Sequence, residues 1–270
     1  MINYQATGEA LTKGKIPVKL FPSSAAIFQA MARDMADTIQ DHNAQGLATT
    51  FILPVGPVGQ YPYFVDLVTQ ERISLKQCHF LNTDEYLTDS QEWIPASDPL
   101  SFRGAMRRDV FEKIDEELRI PASQWVFPDP KDLGKVQRTI DKLGGVDATY
   151  GGIGINGHVA FNEAEEHTSA TVFAKRETRI VTMTPETRVA NAIGSLGGAI
   201  DQMPRYAVTI GMRQILASKR IVLGVFRTWH RAVLREAIFG PVSAAFPVTL
   251  LQKHPDSVIM ANDVAAERPF

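Results

Sequence analysis

His158 and Glu163 stand five residues apart in a glycine-rich run, Gly151-Gly152-Ile153-Gly154-Ile155-Asn156-Gly157-His158-Val159-Ala160-Phe161-Asn162-Glu163. Imidazole and carboxylate side chains exchange protons near neutral pH. The glycines let the backbone turn tightly and approach a ligand closely, with Gly154 at the centre of the turn. A second acidic pair, Asp84-Glu85, lies in Leu81-Asn82-Thr83-Asp84-Glu85-Tyr86. Acidic residues at such positions serve as turn formers and caps, or as a carboxylate base in a cleft whose pKa is tuned by burial. Glu85 is expected among the substrate contacts. Between these motifs in function, though earlier in the chain, is Pro54-Val55-Gly56-Pro57-Val58-Gly59-Gln60. Its Gly56 and Gly59 could hold an anion through backbone N–H groups, although Pro57 offers none and the loop lacks the Gly-Lys-Ser/Thr of a nucleotide-binding P-loop. Arg188 and Arg227 could bind an anion through the guanidinium fork. The six histidines show no tight metal-ligand spacing, so no metal and no cofactor is expected.

The elements that would carry these residues alternate between strand and helix. Short apolar runs at 18–21, 49–53, 78–82, 146–150, 178–183, 206–210, 220–225 and 257–261 read as strands. Between the first two, Ile27, Met31, Met35 and Ile39 repeat at helical spacing, with Ser23 or Ser24 as cap and Asn43 and Gly46 as stop. Helices are also predicted around 63–68, over 106–118, around Leu133, Val136 and Ile140, around Thr187, and over 228–239, with 87–104 a loop. This rhythm predicts an α/β fold with a mainly parallel sheet covered by helices on both faces. Ligands of such sheets sit at the carboxyl ends of strands. Residues 54–60, 83–86 and 151–163 each follow a strand candidate. No linker or repeat divides residues 1–270, so a single domain is expected.

Composition narrows the class. Hydrophobic residues make up 44% of the 270-residue chain, enough for a globular core. A net charge of −2 gives no general reason to expect nucleic-acid binding. Cys78 is the only cysteine, which excludes an intrachain disulfide and fits a reducing compartment. There is no basic leader with an apolar core at the N-terminus and no run of membrane-spanning length, so a cytoplasmic location without membrane association is expected.

The glycine–histidine run and Asn82-Thr83-Asp84-Glu85-Tyr86 together resemble the glucosamine-6-phosphate deaminase/isomerase family. Further matching segments follow in order: Thr178-Arg179-Ile180, Thr187-Arg188-Val189-Ala190-Asn191, Pro204-Arg205-Tyr206-Ala207-Val208-Thr209 and Leu251-Gln252-Lys253-His254-Pro255. The resemblance spans roughly residues 18 to 263. It implies a Rossmann-like fold and a metal-free isomerisation of a 2-amino-2-deoxyhexose 6-phosphate coupled to loss of ammonia. The family's general base falls on Asp84. The residue that assists ring opening falls on His158, with Glu163 and Asn156 flanking it, and the phosphate-binding basic residues fall on Arg188 and Arg227. The partner so implied is a small sugar phosphate; self-association into a homo-oligomer is left open.

The chain departs from the family pattern at three places. Asn156 stands where many members carry Asp, Arg227 where Lys is often found, and Val55, Pro57 and Val58 where the family's phosphate loop carries hydroxyls. The last change leaves Arg188 and Arg227 as the main expected anion contacts. The wider superfamily includes 6-phosphogluconolactonases, so a lactonase is a second enzyme reading. A sugar-phosphate sensor without turnover is a third; the full acid/base set counts against it.

Overall fold

A computed structural model describes residues 2–270. Its strands are β1 (Val18–Phe21), β2 (Thr49–Leu53), β3 (Cys78–Asn82), β4 (Asp84–Leu87), β5 (Trp125–Val126), β6 (Ala148–Gly152), β7 (Arg179–Thr182), β8 (Tyr206–Thr209), β9 (Arg220–Val225) and β10 (Ser257–Asn262). Seven of them form one parallel sheet in the order β1-β10-β9-β6-β2-β3-β5. The helices are α1 (Ser24–Ala44), α2 (Gln60–Gln70), α3 (Phe102–Asp109), α4 (Lys135–Leu143), α5 (Ala170–Phe173), α6 (Pro185–Ser195), α7 (Met212–Leu216), α8 (His230–Phe239) and α9 (Asp263–Ala266).

The sheet is buried on both faces because its strands alternate apolar side chains onto two cores. Ile221, Leu223 and Val225 of β9 join one cluster with Val233, Leu234 and Ile238 of α8. Val222, one residue out of step, joins the other with α1 and α2. On α1 the predicted stripe is fully enclosed: Ile27, Met31, Met35 and Ile39 each show 0% exposure. Burying a side chain of this kind contributes about 1.5–3 kcal/mol. Ser23 caps the helix by accepting from the Ala26 N–H at 3.1 Å.

The strand order sets where a ligand can sit. From β2 the chain crosses through α2 to β3 on one side. From β6 it continues to β9 on the other. Neighbouring β2 and β6, paired at Phe51 with Ala148 and at Ile52 with Thr149, therefore form a switch point, and a crevice opens beyond their carboxyl ends. A Cβ on Gly152 would stand 3.0 Å from Pro57 Cδ, so the missing side chain lets the two loops meet across that crevice.

Three features differ from the sequence expectation. β4, β7 and β8 leave the parallel sheet and make a separate three-stranded antiparallel sheet in the order β4-β8-β7. The predicted 106–118 helix instead starts at Phe102 and ends at Asp109, followed by a single 3₁₀ turn, Phe111–Lys113. Its start is fixed from a distance: Glu85 of β4 accepts from the N–H groups of Phe102 and Arg103, at 3.0 and 2.9 Å. The two-residue strand β5 has too few residues for a periodic signal. Among the described residues no helix is long and apolar enough to cross a membrane.

Candidate active site

The crevice is a cavity of about 490 Å³. Residues 54–59 close one side, the glycine turn after β6 forms the floor, α6 lies across the top, and Phe226 and Arg227 after β9 complete the rim. Asp84, Tyr86, His158 and Arg227 all face it, and so do Gly56, Gly59 and Gly154.

Asp84 is buried, with 6% of its surface exposed. Its Oδ1 accepts from the Phe161 N–H at 3.1 Å, and the same N–H reaches Thr209 Oγ1 at 3.0 Å. Ala160, with φ 57°, adopts the left-handed conformation just before that amide, a local strain of the kind found at functional turns. Burial pushes the Asp84 carboxyl up from 3.8 to about 6, against hydrogen bonds from Thr209 and the Phe161 amide and the nearby charge of His158. A carboxylate so placed is a competent proton carrier near neutral pH.

The His158 ring rests on Gly154, where a Cβ would fall 2.0 Å from Cε1. No residue but glycine fits there. The ring's Nδ1 lies 2.7 Å from Asn156 Oδ1. Asn156 turns its Nδ2 to Glu163 Oε2 at 2.8 Å, which orients the amide and makes Oδ1 the acceptor. Nδ1 therefore carries the proton, and Nε2 presents its lone pair. Glu163 Oε2 also accepts from Thr187 Oγ1 at 3.0 Å and stands 3.5 Å from His158 Nδ1. Burial works to raise the Glu163 carboxyl, but hydrogen bonding and charge from His158, with Asn156 and Thr187, outweigh it and hold the group below the ordinary glutamate value. Asn156 and Glu163 thus lie behind the imidazole and orient it, Glu163 supplying the negative charge that an amide at position 156 lacks.

Two expected substrate contacts are corrected. Glu85 does not line the cavity. Successive residues of a strand point to opposite faces, so with Asp84 and Tyr86 facing the crevice, Glu85 faces away. Its carboxylate, fully buried, accepts from Ser101 Oγ at 2.9 Å, from Arg103 Nε at 3.1 Å, and from the N–H groups that open α3. Arg188 also turns away. On α6 the cavity is lined by Thr187, Ala190, Asn191, Gly194 and Ser195, and Arg188 is not among them. Arg188 Nη2 instead donates to the carbonyls of Ile200 and Met203, both at 3.0 Å. Among the described residues Arg227 remains as the only arginine or lysine on the cavity wall. Among the described residues no carboxylate lies within ion-pair distance of it.

Sequence reasoning passed over Tyr86, Asn191, Thr187 and Thr209. Tyr86 lies two residues beyond Asp84 on one strand face, and its hydroxyl accepts from Asn191 Nδ2 of α6 at 3.1 Å, tying roof to wall. The signals were present as strand and helix spacing: Asp84 to Tyr86 is i+2, and Thr187 to Asn191 is i+4. Among the described residues no cluster of three or more His, Cys, Asp or Glu side chains is placed to hold a metal ion.

A parallel α/β sheet that brings a buried carboxylate and an oriented imidazole into one crevice at its switch point has the layout of an acid/base enzyme. Comparison with known proteins is specific. The chain is 32% identical over 249 residues to glucosamine-6-phosphate deaminase 1 of Bacillus subtilis, covering 89% of this chain and 95% of the relative. It is 28% identical over 245 residues to glucosamine-6-phosphate deaminase of Thermoanaerobacter pseudethanolicus, covering 88% and 91%. A solved monomeric glucosamine-6-phosphate deaminase superposes with a TM-score of 0.80 at 30% identity, over 92% of this chain and 98% of that one. The 6-phosphogluconolactonase of Thermotoga maritima shares the fold, with a TM-score of 0.65 at 14% identity over 91% and 99%. No protein-family model matches the chain. The chain belongs to the glucosamine-6-phosphate deaminase family.

Proposed function

We propose that this enzyme converts a 2-amino-2-deoxyhexose 6-phosphate, glucosamine 6-phosphate or a close epimer, to a ketose phosphate and ammonia. The observation that carries the reading is the pairing, in one cavity, of a buried carboxylate raised to about 6 with an imidazole whose Nδ1 is committed to Asn156. His158 Nε2 takes the proton of the anomeric hydroxyl and returns it to the ring oxygen, which opens the ring. Asp84, ionised, then takes the proton from C2, made acidic by the adjacent aldehyde, and delivers it to C1. The resulting C2 imine adds water, and ammonia leaves; one water is consumed for each ketose formed. Glu163 stabilises the imidazolium during ring opening. Arg227 receives the phosphate.

The test is a release assay. Purified enzyme is offered the gluco, galacto and manno 2-amino-2-deoxyhexose 6-phosphates, the free amino sugars and 6-phosphogluconolactone. Ammonia and ketose phosphate in equal amounts from at least one phosphorylated amino sugar is the expected result. Acid release from the lactone, with no ammonia from any amino sugar, overturns the reading in favour of a lactonase.

A further inference from the structure

His230 opens α8 and takes no part in the proton transfers above. The residue is 3% exposed and borders the cavity, its ring between Trp229, with ring centroids 3.9 Å apart, and Phe226, at 5.7 Å. Both nitrogens are committed. Nδ1 accepts from the backbone N–H groups of Phe226 and Arg227, each at 2.9 Å. A nitrogen that accepts two N–H bonds carries no proton, so the proton sits on Nε2. Nε2 donates to the Ile153 carbonyl at 3.0 Å. Burial pushes the imidazole down to about 3; the Ile153 carbonyl opposes this and the Arg227 charge adds to it. The ring is therefore neutral throughout the working pH range.

The two ends of this bridge matter. Phe226 and Arg227 directly follow β9, and Ile153 directly follows β6. With its N–H drawn inward to His230, Arg227 projects its side chain over α6, where a Cβ on Gly194 would stand 3.2 Å from Nη1. On the other side, Ile153 precedes Gly154, the seat of the catalytic imidazole.

We infer that His230 is a positioning residue: its imidazole clamps the Phe226–Arg227 backbone to the Ile153 carbonyl and so fixes the Arg227 guanidinium, which receives the anionic end of the substrate, relative to the catalytic turn. The phosphate as ligand rests on the function proposed above; the clamp itself rests on geometry. A charge-assisted hydrogen bond depends on distance and direction, so a cation on a loosened loop binds less well even though its charge is unchanged.

Asparagine and glutamine divide the two halves of the clamp. The Asn Oδ1 takes the place of Nδ1 and accepts the two N–H groups, whereas the longer Gln amide reaches the Ile153 carbonyl but not both amides. His230→Gln should raise KM for the phosphorylated sugar about tenfold, with kcat within about threefold of wild type. His230→Asn keeps the bonds from the Phe226 and Arg227 N–H groups but loses the one to the Ile153 carbonyl, so KM should rise there as well. Arg227→Ala should raise KM similarly, and adding His230→Gln to it should raise KM little further, because the guanidinium that the clamp positions is already gone. An unchanged KM in His230→Gln and His230→Asn, or an equal further rise in the Arg227→Ala background, overturns the inference. A merely structural role would lower thermal stability in the Asn and Gln variants alike, without a rise in KM that depends on Arg227. Calorimetric titration with inorganic phosphate gives a readout independent of turnover. Weaker phosphate binding by His230→Gln than by wild type supports the clamp even if no amino sugar reacts; equal binding overturns it.

Discussion

Asp84→Asn removes the charge that the fold buries beneath the cavity and keeps the shape of the side chain. In the wild type, burial raises the carboxyl from 3.8 to about 6. The folded chain therefore holds this proton more tightly than the unfolded chain does. The associated stability is fully present below the unfolded value and is lost as pH rises through the folded one. The gap between 3.8 and about 6 corresponds to about 3 kcal/mol lost on the alkaline side of the window. Asparagine pays no such penalty, and its Oδ1 can still accept from the Phe161 amide. The variant should match wild type near pH 4, gain stability through the window, and be more stable by about 3 kcal/mol above about pH 7. For a chain of this size that is a rise in Tm of roughly 6 °C or more. Turnover should fall about 10²-fold or more, since an amide cannot take the C2 proton. Urea unfolding from about pH 4 to about pH 8, with initial rates on the same preparations, measures both. A stability difference that does not change with pH, or a variant less stable than wild type on the alkaline side, refutes the claim that Asp84 is held as a strained, high-pKa base.

The same carboxyl should shape the pH profile: kcat/KM should rise through about pH 6 as Asp84 ionises, and a profile flat from pH 5 to 7 contradicts this. Arg227→Ala should raise KM for the phosphorylated sugar about tenfold and leave the free sugar little affected, as steady-state kinetics on both will show. Arg188→Ala, by contrast, should leave the preference for phosphorylated over free sugar unchanged, because its guanidinium serves the carbonyls of Ile200 and Met203. Glu85→Ala strands Arg103 and the first N–H groups of α3, and should cost about 3–5 kcal/mol in urea unfolding rather than act through substrate contacts.

The parallel sheet was legible because its strands are short apolar runs, each followed by a loop rich in glycine or polar residues. Asp84, His158, Asn156 and Glu163 were legible because they sit in two compact motifs at strand ends. What the sequence hid depends on long-range partners. β4 follows β3 with only Thr83 between them, and nothing local says that the chain there changes sheets to pair with β8. Glu85 looks equivalent to Asp84 until strand alternation assigns them to opposite faces. Arg188 carries the right charge, but its guanidinium is taken by the carbonyls of Ile200 and Met203, partners that nothing local in the sequence announces. His230 gave no signal because its role is hydrogen bonding to backbone groups, which leaves no pattern of side-chain types.

Proton transfer between C2 and C1 is the central claim, and product analysis after reaction in deuterium oxide tests it most directly. Nuclear magnetic resonance of the ketose phosphate should show solvent deuterium at C1, partial where Asp84 returns the proton it took and never at positions remote from the reacting carbons, with one ammonia per ketose. Asp84→Asn should slow formation of both products together by about 10²-fold or more. Solvent deuterium found at a carbon other than C1, or undiminished turnover by Asp84→Asn, would contradict the assignment of Asp84 as the base that moves the proton.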